Sequence, residues 1–159
     1  MAIPDTATLA NVSIKADKIL DDGGGDEPTN QFDPNDADVT LRGRINSSGN
    51  AVAYADGQLV TGFIPAQSGD VFTIETDHGQ TSATGGNGYT GTAACYNSAK
   101  GFITQAISPT ASQWVWNEGI TNGTFTVPST WNSHDYSGTV YVRFCLAYTD
   151  IENIKIYKE

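Results

Sequence analysis

The residues of this chain that are best suited to chemistry are aromatic side chains set among polar ones. Trp114 and Trp116 are two residues apart in SQWVWNEG, so in a strand their rings share one face of the sheet and Val115 takes the other. Flat rings flanked by Asn, Asp, Gln and Glu can stack on sugar rings while the polar groups bind hydroxyls. The pattern gives six candidate carbohydrate-binding residues: Trp114, Trp116, Trp131, Tyr89, Tyr136 and His134.

The same rings also have a purely structural interpretation. Large aromatic side chains are usually needed to fill or close a β-sandwich, and this interpretation is favoured for Trp114 and Trp116. Trp131 lies in the polar stretch TWNSHDYSG, and Tyr89 lies in the glycine-rich stretch DHGQTSATGGNGYTG. Their position in loops makes ligand binding more plausible for these two residues, but the structural interpretation is still favoured. Exposure separates the interpretations, because binding requires at least one exposed ring beside polar groups.

Signatures of catalysis are missing from the sequence. The two histidines, His78 and His134, each lie in a polar loop neighbourhood, and there is no serine nucleophile elbow, no His-Glu-x-x-His and no phosphate loop. Asp21 and Asp22 are adjacent carboxylates, but they lie in a flexible stretch that would not fix their separation. A catalytic pair assembled from distant loops would leave no such signature. We therefore expect a protein that is not an enzyme and that needs no cofactor.

The run Asp33–Asp38, with the sequence DPNDAD, starts like a calcium-binding loop. The glycine and the bidentate glutamate of an EF-hand are absent at the required offsets. Solvated turn residues are the favoured interpretation. A structural calcium, held by loop carbonyls and one or two of these aspartates, is the alternative, and no metal site is predicted.

Composition narrows the classes of partner. The 159 residues include 18 acidic and 8 basic ones, a formal net charge of −10, which argues against nucleic acid and anionic membranes because no basic patch can displace counterions from phosphates. The N-terminus has no signal-peptide pattern, and no apolar window is long enough for a membrane span. Cys95 and Cys145 lie in apolar, strand-like runs, so we expect reduced, packed thiols.

The chain divides into three parts. Residues 1–20 carry too few apolar residues for a core, and residues 21–30, DDGGGDEPTN, have the composition of a flexible linker. Residues 31–159 read as eight to ten short strands separated by turns. The pattern predicts one alternating strand over DVTLRGRIN and a hairpin over TGFIPAQSGDVFTIET, with its turn at Gly69 and Asp70. It also predicts a central strand over GTVYVRFCLAY and a last strand over IENIKIYKE. The pattern predicts an all-β fold, an antiparallel β-sandwich of the jelly-roll type.

Five short segments together carry a resemblance to a known family. They are Asn30–Asp33, Asn46–Gly49, Ile64–Asp70, Tyr96–Ile103 and Val142–Phe144. In this combination the chain resembles a β-sandwich module found in the tail, baseplate and head-fibre proteins of bacteriophage virions. The resemblance implies a jelly-roll, lectin-like body on a virus particle, with the Ile-Pro hairpin as scaffold that fixes strand register. The polar stretch 77–91 and the Trp-x-Trp strand lie outside the pattern, so no binding residue is carried over from the family.

The resemblance also implies a role. We expect a bacteriophage virion structural protein, a capsid or tail decoration or fibre, whose jelly roll faces solvent and can adhere to host or environmental carbohydrate. Residues 1–20 would anchor it to other virion proteins, residues 21–30 would be the tether, and homo-oligomeric display at many copies would add avidity. Such a protein is made in the host cytoplasm, needs no signal peptide and is located in the virion. Two alternatives stay open: a free-standing carbohydrate-binding module, and a decoration protein that only stabilises the particle.

Overall fold

The computed structural model describes residues 28–80, 91–103, 114–115, 121–131 and 134–159. These residues contain one 3-10 helical turn, Ile151–Asn153, and no α-helix. The strands among them are β1 (Thr40–Leu41), β2 (Gly43–Ile45), β3 (Ala51–Ala53), β4 (Gln58–Val60), β5 (Ile64–Pro65), β6 (Val71–Glu75), β7 (Thr92–Tyr96), β8 (Trp114–Val115), β9 (Asn122–Thr126), β10 (Thr130–Trp131), β11 (His134–Asp135), β12 (Tyr141–Ala147) and β13 (Lys155–Lys158).

Every strand pair among the described residues is antiparallel. One five-stranded sheet is centred on β12, which pairs with β4 and β5 along one edge and with β7 along the other, while β1 pairs with β4. A four-stranded sheet has the order β13-β6-β9-β8, and β2–β3 and β10–β11 form two-stranded ribbons. The fold is all-β with its strands in curled antiparallel sheets, which confirms the prediction of an all-β, antiparallel protein.

The strand with the strongest sequence signal lies at the centre of the five-stranded sheet. All residues of β12 after Tyr141 are buried, and Phe144 and Leu146 belong to one hydrophobic cluster while Cys145 belongs to a second cluster on the opposite face. The prediction of a central strand here is confirmed. Cys95 and Cys145 are both buried and form no disulfide, as predicted.

The larger cluster lies between the five-stranded and four-stranded sheets, and we call the side of the five-stranded sheet that faces it the inner face. Phe144 of β12 meets Phe72 of β6 and Phe125 of β9 edge to face, with ring centroids 5.6 Å and 5.7 Å apart. Ile74 and Ile156 of the four-stranded sheet are also fully buried in this cluster. The two sheets therefore share one apolar core.

A smaller cluster lies on the opposite side of the five-stranded sheet, which we call the outer face. It joins Val60, Ala94, Tyr96 and Cys145 of that sheet to Ile45 of β2. Because the β2–β3 ribbon covers this face, the central sheet is buried on both sides. This double burial explains why β12 reads as an almost continuous apolar run.

The hairpin predicted over residues 61–76 is not formed. β5 pairs with β12 in the five-stranded sheet, whereas β6 pairs with β9 and β13 in the four-stranded sheet. Between them, the Ala66 N–H donates to the Val140 carbonyl at one sheet and the Gly69 N–H donates to the Val127 carbonyl at the other. The turn chemistry was predicted correctly, since Gly69 has a φ of +94° and the Asp70 carboxylate accepts from the Gln67 N–H, but the turn crosses between sheets.

The single strand predicted over DVTLRGRIN is also divided between two partners. Arg42 has a φ of +54°, which breaks the extended run between β1, paired with β4, and β2, paired with β3. Gly43 follows at a close approach, since a Cβ there would lie 2.7 Å from the Thr40 carbonyl oxygen. Period-2 alternation continues across such a break, so the alternation pattern does not reveal it.

The predicted anchor and most of the predicted linker lie outside the described residues. Asn30, which the sequence assigned to the linker, is bound to the last strand: its Oδ1 accepts from the Ile156 N–H at 2.8 Å and its Nδ2 donates to the Ile154 carbonyl at 3.2 Å. The Gln31 N–H then donates to the Ile156 carbonyl. The folded body therefore includes Asn30.

Candidate binding cleft

The structure settles the position of one of the six predicted sugar-binding side chains. Tyr136 is fully buried in the larger cluster, so its ring fills the core and the prediction that it binds a ligand is wrong. The polar neighbours of Tyr136 in the sequence suggested an exposed ring, because a sequence pattern does not show what a side chain packs against in the fold. The backbones of Trp131 and His134 are paired across the β10–β11 ribbon, and Trp114 pairs with Phe125 in the four-stranded sheet. The side chains of Trp114, Trp131 and His134, and all of Tyr89 and Trp116, lie outside the described residues, so these predictions stay predictions.

A cleft of about 520 Å³ opens on the outer face of the five-stranded sheet. It lies between the turn that joins β2 to β3, the chain leading into β1, and the turn after β7. The residues that line it come from separate parts of the chain: Ala37, Asp38, Thr40, Ser48, Gly49, Asn50, Ala51, Phe63, Tyr96, Lys100, Gly101, Phe102 and Arg143.

An irregular segment between β4 and β5 shapes the floor of this cleft. The Thr61 N–H donates to the Phe144 carbonyl at 2.9 Å, and the Thr61 Oγ1 accepts from the Phe144 N–H at 3.0 Å, so a side-chain oxygen stands in for a backbone carbonyl. Gly62 packs directly against the Asp36 carboxylate, where a Cβ would overlap it. The Thr61 carbonyl is thereby released from β12 and is free to accept a different donor.

That donor is Arg143, the one charged residue of β12. Its Nε donates to the Thr61 carbonyl at 2.8 Å, its Nη2 donates to the Asp38 carbonyl at 2.6 Å, and its guanidinium carbon lies 4.6 Å from the centre of the Phe63 ring. Only 6% of Arg143 is exposed, and burial lowers its pKa, although an arginine stays protonated at neutral pH. The result is a positive charge held rigidly at the cleft.

A second cation lies at the rim. The Lys100 Nζ is 2.6 Å from the Asp38 Oδ2 and 4.6 Å from the centre of the Phe63 ring. Both charged side chains are nearly half exposed, and the hydrogen bond to Asp38 raises the pKa of Lys100. Lys100 has a φ of +58°, a left-handed conformation that is held by the turn in which the Asn97 Oδ1 accepts from the Gly101 N–H.

Aromatic rings form one wall of the cleft. The Tyr96 ring lies 4.9 Å from Phe63 and 5.8 Å from Phe102, measured between centroids. The Tyr96 hydroxyl donates to the Gly49 carbonyl at 2.6 Å, and burial raises its pKa to about 12, so it is a neutral donor. Gly49 has a φ of +76°, and a Cβ there would overlap the Phe102 ring. The turn and the wall are thus fitted to each other.

The turn between β2 and β3 supplies polar groups to the opposite rim. The Asn46 Oδ1 accepts from the backbone N–H groups of Ser48 and Asn50, which fixes the turn. Within the described part of the chain, the Ser48 hydroxyl and the Asn50 side-chain amide have no hydrogen-bond partner. Both residues are exposed, so these groups are available to a ligand.

Two features of the sequence point to this cleft. Arg143 interrupts an otherwise apolar strand, which marks a buried charge with a specific role. Three of the five segments that carry the family resemblance, those beginning at Asn46, Tyr96 and Val142, also contribute residues to the cleft.

The acidic run before β1 forms turns. The Asp33 Oδ1 accepts from the Asn35 N–H and the Asp36 Oδ1 accepts from the Asp38 N–H, each at 2.8 Å, which confirms the turn interpretation for these residues. Among the residues that the structure describes, no group of three or more acidic, histidine or cysteine side chains is placed to hold a metal ion.

Comparison with known proteins found no match: no family model, no curated protein and no solved structure is significantly similar to this chain. In the described part of the chain, no helix has the length and apolar character needed to cross a bilayer.

Proposed function

We propose that this chain is a non-catalytic β-sandwich module of the jelly-roll type that binds carbohydrate in the cleft on its outer face. The observation that carries the proposal is the combination of the half-buried rings of Phe63 and Phe102 with the exposed polar side chains of Ser48 and Asn50 around one cleft. Sugars offer apolar ring faces and many hydroxyls, so a site that binds them needs both kinds of surface.

The dimensions of the cleft agree with this proposal. Its volume of about 520 Å³ lies in the range of roughly 300–1,000 Å³ that is common for small-molecule sites. Phe102 is only half buried, so part of this ring remains available for contact with a ligand. The turn that carries Ser48 and Asn50 is fixed by Asn46, which lowers the entropy lost on binding.

We further propose that the module belongs to a bacteriophage particle, as a capsid or tail decoration or fibre. Support comes from the resemblance of the five short segments, three of which meet at the cleft. In this proposal residues 1–20 contact other virion proteins, and display of many copies makes weak binding by each cleft sufficient to hold the particle on a glycan surface.

Binding at the cleft is tested with the full-length chain on a panel of immobilised polysaccharides. The double variant Ser48→Ala with Asn50→Ala removes polar groups from the rim, and Asn122→Ala with Ser129→Ala removes the same groups from the four-stranded sheet and the chain that follows it. We expect the cleft variant to bind roughly tenfold more weakly or worse, because about one or two hydrogen bonds to the ligand are lost. The control variant should bind like the original chain. Equal binding by both variants would place the saccharide elsewhere, and the absence of any binding would refute the carbohydrate proposal.

The virion assignment has its own test. Mass spectrometry of purified phage particles that encode this chain should detect it at many copies per particle. Its presence only in the soluble fraction of the lysate would instead favour a free-standing carbohydrate-binding module.

A further inference from the structure

The charge of the cleft differs in sign from that of the whole chain. The chain has a formal net charge of −10, yet the side chains that line the cleft include two cations, Lys100 and Arg143, and one carboxylate, Asp38. Asp36 lies close by, but it is exposed, faces Gly62 and accepts the Asp38 N–H. Two of only eight basic residues therefore lie at one site.

Arg143 has hydrogen-bonding capacity that the protein does not use. Its two described backbone bonds engage Nε and Nη2, and the Tyr96 hydroxyl is a further contact, whereas a guanidinium has five N–H donors. The ion pairs of the described residues do not include Arg143: carbonyl oxygens and an aromatic ring contact its buried guanidinium, and the carboxylates of Asp38 and Asp36 act on its charge only from beyond ion-pair distance. A buried cation in this state favours an anionic ligand.

The position of this guanidinium is fixed before any ligand arrives. Carbonyl oxygens on two separate segments and the Phe63 ring hold it, so little side-chain entropy is lost when an anion binds. A planar guanidinium presents paired donors that match the oxygens of a carboxylate or a phosphate. Lys100 adds a movable point charge at the rim, which can shift from Asp38 to a ligand because the pair is nearly half exposed.

We infer that the saccharide bound in the cleft carries an anionic oxygen group, a carboxylate or a phosphodiester, which Arg143 binds directly and Lys100 binds from the rim. This inference rests on the proposed carbohydrate function and narrows it to acidic saccharides.

The first experiment varies the ligand. Full-length protein is titrated with polygalacturonate, with the same polymer after full methyl esterification, with a phosphodiester polymer (teichoic acid) and with neutral dextran. We expect binding to polygalacturonate if the anionic group is a carboxylate, or to teichoic acid if it is a phosphodiester. In either case the affinity should fall as the salt concentration is raised. Equal affinity for the esterified and free polymers, or binding to dextran alone, would overturn the inference while leaving the carbohydrate function intact. No binding to any polymer would overturn both.

The second experiment varies the charges of the cleft. Asp38→Asn removes the competing carboxylate but keeps the carbonyl that accepts from Arg143, so affinity for the acidic polymer should rise roughly threefold to tenfold. Lys100→Gln should lower it by a similar factor, whereas Lys155→Gln removes an equal charge from an exposed site on β13 and should leave it unchanged. Equal losses for Lys100→Gln and Lys155→Gln would show that only the net charge of the protein matters, and a fall in affinity for Asp38→Asn would contradict the competition assigned to Asp38.

Arg143→Lys keeps the charge but loses the paired donors, so it tests the direct contact. We expect at least a tenfold loss of affinity for the acidic polymer in a variant that retains the circular dichroism spectrum of the original chain. If the variant does not fold, Asp38→Asn and Lys100→Gln decide the inference without it. Unchanged affinity in a folded Arg143→Lys protein would overturn the role assigned to Arg143.

Discussion

On the inner face of the five-stranded sheet β12 contributes Val142, Phe144 and Leu146, whereas on the outer face the same strand contributes Arg143 and Cys145. The inner face meets a second sheet through aliphatic and aromatic side chains. The outer face meets a short ribbon, several turns and a cleft, and its buried groups include a guanidinium and a phenol.

The difference shows how one strand can serve stability and recognition at once. Apolar contacts on the inner face are non-directional, so they stabilise the fold roughly in proportion to the area buried. Polar groups on the outer face must each find a partner at a defined distance, as Tyr96 does with Gly49 and Arg143 does with Thr61. The outer face therefore contributes fewer apolar contacts and a more precisely fixed surface.

The largest expected effect is loss of a ring from the inner face. Phe144→Ala removes the ring that contacts both Phe72 and Phe125 and should lower the free energy of unfolding by about 3–5 kcal/mol. Tyr96→Phe removes one hydrogen bond from the outer face and should cost about 0.5–1.5 kcal/mol. Urea unfolding of both variants measures the contrast, and equal losses would mean that the two faces do not differ in this way.

A smaller effect is expected where the turn meets the aromatic wall. Gly49→Ala should cost about 1–2 kcal/mol for the left-handed backbone. It should cost about 1–3 kcal/mol more because the new methyl displaces Phe102. Gly69→Ala is the matched control, since Gly69 has a φ of +94° but nothing within 4 Å of a Cβ, so only the backbone cost applies. Similar unfolding free energies for the two variants would contradict the tight fit of turn and wall.

Alkaline pH should reveal the buried phenol of the outer face. Burial raises the pKa of Tyr96 in the folded protein from 10.0 to about 12, so its contribution to stability is complete below pH 10 and is lost as the pH rises from 10 through 12. Tyr96→Phe should make the decline of unfolding free energy over this range shallower. Urea unfolding at a series of pH values tests this, and an unchanged slope would refute it.

The two thiols extend the same comparison to both faces. Burial raises the pKa of Cys95 on the inner face and of Cys145 on the outer face from 9.0 to about 12. Cys95→Ala and Cys145→Ala should therefore each reduce the loss of stability between pH 9 and pH 12. Alanine variants that lose stability with the same slope as the original chain would show that the thiols ionise readily in the folded state.

The smallest effect is expected for the ion pair at the rim. Lys100→Gln and Asp38→Asn should each shift the urea midpoint less than Tyr96→Phe does, because exposed pairs contribute little to folding. A small shift of the urea midpoint, together with the changes in ligand affinity proposed above, would show that Lys100 and Asp38 act in binding and contribute little to folding. A shift larger than that of Tyr96→Phe would assign the pair a structural role.

Local patterns predicted much of the fold. Alternating and β-branched residues identified β12 and β6, turn residues placed the bend at Gly69 and Asp70, and apolar surroundings predicted the buried thiols. They failed at Ile64–Pro65 and at Arg42, where neighbouring strands belong to different sheets. Periodicity gives the face on which a side chain lies but not the strand with which it pairs.

The sequence by itself determined that the chain is β-rich and antiparallel, because strand alternation and turn chemistry are local properties. It also contained Arg143 as an isolated charge in an apolar strand. Only the tertiary structure decided what that charge does, since the carbonyl groups of Asp38 and Thr61 reach it from distant positions in the chain and Thr61 is freed for it by an irregular strand edge. The cleft is therefore a product of long-range packing.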